Sequence, residues 1–107
     1  LGPDSLIYEY GLAPTPIESF IMFFVYVLKS LKDEQLYIGS TNNLERRIEE
    51  HNSGKSLATE PRRPFVLIYY EAYRSEKDAR HREHNLKLRS RALAQLKKRL
   101  EDTLKID

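Results

Sequence analysis

A few polar residues of this chain sit where apolar ones belong, and they are of types that handle protons and phosphates. Glu83 is the most informative. It lies on a predicted helix whose inward face is marked by Ala79 and Leu86. At about 100° per residue, Glu83 falls within about 40–60° of both. A carboxylate on a buried face is costly unless it is paired or bound to a metal. Helix geometry alone favours an ion pair, with Arg47, Arg82 or Lys87 as the partner. Arg47 and His51 are four residues apart on an earlier helix, so they share a face beside Leu44 and Ile48. That places them at the edge of a core, where a cleft can form, or on a solvated flank with Arg46, Glu49 and Glu50. Tyr26 and Tyr37 belong to adjoining strands. Each alone is ordinary core with one hydrogen-bond partner. Gly39 ends the second strand, where a missing side chain allows close approach by substrate or by the following helix. Lys55, Arg62, Arg63, Arg74 and Lys77 fall in loops or at helix starts. They are suited to tracking phosphates, and each is equally suited to a plain solvated surface.

The elements that must position these residues follow from pattern. Phe23 to Lys29 (FFVYVLK) is aromatic and β-branched and forms a first strand, with Phe24, Tyr26 and Leu28 on one face. Leu36 to Ser40 (LYIGS) is a second, joined through a polar loop. Phe65 to Tyr73 (FVLIYYEAY) is a third, set off by Pro61 and Pro64. Between the second and third lies a helix, capped by Asn42 with Glu45 completing a capping box, and ended by Gly54. Ser75 starts a second helix with Asp78 at the reciprocal position. Ser90 starts a third, whose Leu93, Leu96, Leu100 and Leu104 form one core stripe. The order β-β-α-β-α-α predicts an α/β (α+β) fold, a small three-stranded, mainly antiparallel sheet flanked by helices.

The 107 residues make one domain. With no cysteine, disulfides and thiolate metal sites are excluded, and a reducing, cytoplasmic location is the expectation. His51, His81 and His84 are too scattered for zinc. No apolar run approaches the roughly 20 residues needed to span a bilayer, so no membrane partner is expected. Residues 1–21 carry Asp4, Glu9 and Glu18 and no Lys or Arg, together with Pro3, Pro14 and Pro16. They are expected to be an extension outside the domain. Leu1-Gly2-Pro3 has the form of a protease-site remnant, Leu6-Ile7-Tyr8 is a cluster able to dock on the surface, and Met22 has the form of a natural start. Residues 22–107 then hold all 18 basic side chains against 13 acidic ones, a balance that suits a polyanionic partner.

Taken together, the polar set resembles the GIY-YIG nuclease superfamily. That group includes the incision subunit of bacterial nucleotide excision repair, certain homing and restriction endonucleases, and small stand-alone proteins, which this chain resembles most. Phe24-Val25-Tyr26 stands at the first motif and Tyr37-Ile38-Gly39 at the second, with ten residues, Val27 to Leu36, between them. Arg47 follows Tyr37 by ten and His51 follows Arg47 by four. His51-Asn52-Ser53-Gly54-Lys55 looks like the segment after the family's first helix, and Glu83 stands at the family's metal-binding glutamate. Two departures are visible. Phe24 replaces the first motif's glycine, and a late asparagine has no counterpart, Asn85 being too near Glu83 and Gln95 only loosely placed.

The resemblance implies a divalent-metal-dependent endonuclease acting on nucleic acid, with DNA the expected substrate. Glu83 would hold one Mg2+ or Mn2+, Arg47 would stabilise charge on the phosphate, and Tyr26, Tyr37 and His51 would share the activation of water. Which of those three is the proximal base stays open. Nearby cations, Arg47 among them, are expected to lower the pKa of Tyr26. The alternative is a catalytically weak or inactive nucleic-acid-binding module working inside a larger repair or recombination assembly.

Overall fold

The computed structural model describes residues 21–106. The expectations for the extension before them, including docking of Leu6-Ile7-Tyr8, lie outside the described residues. Strands β1 (Phe23–Ser30), β2 (Leu36–Thr41) and β3 (Phe65–Tyr73) form one sheet of order β2-β1-β3. Both pairings are antiparallel. Helices α1 (Leu44–Asn52), α2 (Glu76–Lys87) and α3 (Arg91–Arg99) complete the expected β-β-α-β-α-α order. Short 3-10 turns occupy Glu60–Arg62 and Thr103–Lys105.

Strand β1 is central, and helices cover it on both faces. Residues alternate across the sheet. Val25 and Val27 join Leu36, Ile38, Ala79, Leu86, Leu93, Leu96 and Leu100 on the α2 and α3 side. Tyr26 and Leu28 join Phe65, with Tyr37, Leu44, Ile48 and Leu67 packed on them, on the α1 side. A strand wrapped this way has no solvent face, which is why FFVYVLKS shows no polar alternation. The register then sets the site: Tyr26 faces Gly39 across the β1–β2 ladder, and Val25 faces Ser40.

Local signals explain most helix ends, with two corrections. The first helix is capped by Asn43, not Asn42: the Asn43 side chain accepts from the Arg46 N–H at 3.1 Å. Residue N3 is therefore Arg46, and the box with Glu45 does not form. Two adjacent asparagines are equally good caps, and the Asn43 N–H accepted by Thr41 Oγ1 selects the second. Gly54 does turn the chain after α1, at φ +83. Ser75 caps α2 through the Asp78 N–H as expected. Helix α3 ends at Arg99, so the last member of the leucine stripe, Leu104, packs on the core from a 3-10 turn.

Two polar arrangements, one partly buried and one buried, lie outside the site. Glu71 accepts from Tyr69, Tyr73 and the Nε and Nη2 of Arg82. Arg82 is thereby committed to β3 rather than to Glu83. Lys29, only 6% exposed, donates to the carbonyls of Leu104 (3.0 Å) and Ile106 (3.1 Å). It ties the last described turn to the central strand. Replacing Lys29 with Met keeps the stem and removes both bonds. Denaturant melts should show a loss of about 1–3 kcal/mol, and hydrogen exchange should quicken first around residues 104–106.

Candidate active site

The α1 face of the sheet builds a chain of polar contacts inside an apolar shell. Tyr26 is 1% exposed and His51 fully buried. The Tyr26 hydroxyl lies 2.8 Å from His51 Nε2, and His51 Nδ1 lies 2.7 Å from Thr59 Oγ1. Thr59, also fully buried, donates in turn to the Ser56 carbonyl at 3.4 Å. Tyr37 stacks edge-on to His51 with ring centroids 5.0 Å apart, and Phe65 closes the far side at 6.1 Å. No buried side-chain polar atom among the described residues lacks a partner. His51 therefore stands inside the core rather than at its edge.

Gly39 is explained by the tyrosine. A Cβ built there would sit 2.3 Å from Tyr26 Oη and 2.5 Å from Cζ. Real Cβ contacts do not come that close, so any other residue would push the phenol out of its seat. The close approach that Gly39 permits is that of the Tyr26 ring, from the strand directly opposite.

Burial sets the proton affinities. It pushes the Tyr26 phenol up to about 12, with Arg47 beside it pulling the other way. The expected lowering by cations is thus outweighed, because a phenolate loses more hydration in this apolar seat than one guanidinium returns. Burial also takes His51 down to about 4, and the positive charge of Arg47 adds to the effect. Arg47 is partly exposed and donates to Glu50 at 3.0 Å.

Glu83 stands on the opposite face. Ser40, next to Gly39 and so pointing the other way, donates to Glu83 Oε1 at 2.7 Å. Lys87, one turn along α2, sits 2.7 Å from Oε2. Burial raises the Glu83 carboxyl, but Lys87 and Ser40 outweigh it and hold the group below the usual carboxylate range. Among the partners considered from sequence, Lys87 is the one found. Among the described residues no hydrogen bond joins Glu83 to the Tyr26 cluster, although its charge is felt at Tyr26. The two halves meet around β2, the edge strand.

The basic residues expected to follow phosphates separate into groups. Arg62 pairs with Asp33 at 2.7 Å and rests over the Phe65 ring, while lining a groove of about 300 Å3 with Tyr37, Lys87 and Arg89. Arg63 is held by Glu60 at 3.3 Å. Lys55, Arg74 and Lys77 are exposed. Sequence reasoning missed Ser40, Thr59 and Arg89. It named Lys87 only as a possible partner of Glu83. The i,i+4 spacing of Glu83 and Lys87 was the available signal for that pair, whereas Thr59 carries none.

A family model described as the GIY-YIG catalytic domain matches residues 22–99. The chain belongs to the GIY-YIG family. It has that family's nuclease-type fold. Relatives of this GIY-YIG domain include a UPF0213 protein of Staphylococcus haemolyticus, 46% identical over 69 residues, which covers 64% of this chain and 83% of that one. A UPF0213 protein of Natronomonas pharaonis is 46% identical over 70 residues, 64% of this chain and 81% of that one. The solution NMR structure of a UPF0213 protein from Bacillus halodurans is 36% identical and covers 79% of this chain and 86% of that one, with a TM-score of 0.44.

The Glu83 carboxylate and the Ser40 hydroxyl lie side by side, both oxygen donors of the kind a hard divalent cation takes. Among the described residues no group of three or more His, Cys, Asp or Glu could hold a metal ion. One carboxylate suffices for an ion such as Mg2+ that keeps most of its waters and takes phosphate oxygens as further ligands.

Gly39→Ala should lower stability by about 1–3 kcal/mol through overpacking against Tyr26. Combined with Tyr26→Ala, the losses should be clearly less than additive in denaturant melts. The low pKa of His51 has its own signature. The unfolded histidine takes up its proton near pH 6.5 and the folded one near 4. Stability should therefore be fully present above pH 6.5 and fall as the pH drops toward 4. The His51 contribution to that fall is at most about 3 kcal/mol. His51→Gln should flatten that part of the stability–pH curve.

Proposed function

We propose that this GIY-YIG domain is a metal-dependent endonuclease that hydrolyses phosphodiester bonds of nucleic acid, with DNA as its substrate. The observation that carries the reading is the pairing of a buried Tyr26–His51–Thr59 chain with a partly exposed arginine and a carboxylate across one sheet edge. A purely structural core has no need of a neutral phenol bonded to a neutral imidazole beside an accessible guanidinium.

Glu83, with Ser40 beside it, would hold one Mg2+ or Mn2+, and such an ion supplies polarisation of the phosphoryl oxygen and stabilisation of the leaving oxygen. The other roles belong to the chain. Arg47 donates to the non-bridging oxygens with a planar fork that lysine lacks, and charge builds on those oxygens in the transition state. Thr59 donates to Ser56, so it accepts from His51 Nδ1–H and leaves Nε2 as the acceptor of the Tyr26 proton. With a pKa of about 12, Tyr26 is a neutral phenol at rest and no standing base. It passes a proton from water to His51 by giving up its own as it receives the new one. Burial makes His51 a weak base, and the charge of Arg47 adds to the effect. A phosphate paired with Arg47 offsets that charge, so the relay strengthens when substrate is present. Tyr37 supports the imidazole face. Lys55, Arg62, Arg63, Arg74 and Lys77 contribute non-specific attraction for the backbone, and Gly39 acts by seating Tyr26.

Glu83→Gln should abolish metal-dependent cleavage of flapped, branched, single-stranded or duplex DNA while retaining the fold and at least the wild-type nucleic-acid affinity. Arg47→Ala should slow cleavage by about 10²–10³-fold, as for one lost donor to a developing oxyanion. Cleavage assays with Mg2+, Mn2+ and chelator on wild type and both variants check this. Salt-sensitive binding with no cleavage of any substrate by the wild type would favour the binding-module alternative.

A further inference from the structure

Lys87 stands between two environments. Its ammonium is 2.7 Å from Glu83 Oε2, and Glu83 is its one bonding partner among the described residues. It also lines the groove along β2, where Leu36, Tyr37, Ile38, Arg62 and Arg89 are the other walls. The two ends of the ion pair are unequal. Glu83 is 18% exposed and is held by Ser40 as well, whereas Lys87 is 49% exposed on a flexible stem. If the pair opens, the lysine is the end that moves. The other groove cations are tethered. Arg62 is neutralised by Asp33, and Arg89 donates to the Leu36 carbonyl at 3.4 Å from a backbone held at φ +53. A non-glycine residue in that left-handed conformation carries a conformational cost. The cost here positions a guanidinium at the groove.

We propose that Lys87 is a built-in counter-ion of Glu83 that exchanges partners. It neutralises the carboxylate in the metal-free protein, and it transfers to a backbone phosphate in the Tyr37–Arg62–Arg89 groove when a divalent cation takes Glu83. This inference rests on the nuclease reading above. A divalent cation and an ammonium cannot both sit against one carboxylate oxygen without strong repulsion. Metal and nucleic acid therefore bind with positive coupling, each strengthening the other by the same factor. The device keeps the carboxylate neutralised when no substrate or metal is present, and adds one phosphate contact only in the loaded state.

Two measurements that do not involve cleavage test this. In the first, Mn2+ alone is titrated calorimetrically into wild type, Glu83→Gln and Lys87→Met. Mn2+ uptake should vanish in Glu83→Gln. It should tighten by about two-fold or more in Lys87→Met, since an i,i+4 ion pair alone is worth about that factor. In the second, a fluorescein-labelled flap DNA is bound in chelator and followed by anisotropy. Glu83→Gln frees Lys87 and should bind more tightly than wild type. Lys87→Met should cost little affinity in the wild-type background and should cancel the gain in the Glu83→Gln background. An equal loss in both backgrounds would reduce Lys87 to one more surface charge and overturn the exchange, as would an unchanged Mn2+ affinity in Lys87→Met. Wild-type Mn2+ uptake by Glu83→Gln would instead remove Glu83 as the metal ligand and take the underlying reading with it. Lys87 is half-exposed, so Lys87→Met should fold, and a matching circular dichroism melt documents it.

Discussion

Everything at the candidate site depends on seating one phenol ring inside the sheet. Tyr26 comes from the central strand, its ring lies over the vacant side-chain position of Gly39, and its hydroxyl meets His51. Because β1 and β2 are locked in antiparallel register, that vacancy is directly opposite the tyrosine and nowhere else. The same register sends Ser40 to the other face and onto Glu83. A one-residue slip would exchange the two faces and dismantle both halves together. The two motif tripeptides are in this sense a single structural device spread over two strands.

The energetics follow from burial. Each group in the Tyr26–His51–Thr59 line is removed from water and satisfied by the next, ending on a backbone carbonyl. Such a line resists charge at every member. It holds its protons in one arrangement, and Arg47 is the charge that acts on both Tyr26 and His51. A site of this kind is quiet when empty, since neither the phenol nor the imidazole is ionised near neutral pH.

Much of this was legible in the sequence because the informative signals were local or periodic. The strands, the Ser75 cap, the Gly54 turn and the inward side of Glu83 follow from spacing alone. The cap of α1 was misplaced by one residue because Asn42 and Asn43 are chemically the same, and only the Thr41 hydroxyl discriminates them. Arg99 ends α3 before the leucine stripe does, because a 3-10 turn can continue the same apolar face. The direction of the Tyr26 shift was missed for a different reason. Arg47 is visible in a sequence, whereas the depth of an apolar seat depends on how both sheet faces are covered. Thr59 was invisible because its role appears only when the loop after α1 folds back beneath His51.

The edge position of β2 has one more consequence. An unpaired strand edge is a template on which another chain can add a strand, and soluble proteins guard such edges with charge. Here Lys87, Arg62 and Arg89 rim that edge, and Arg89 occupies the Leu36 carbonyl. The residues proposed to contact phosphate are thus the same ones that place charge along the open edge. On the proposed reading, a basic groove beside an open strand lets one set of charges serve both edge protection and recognition.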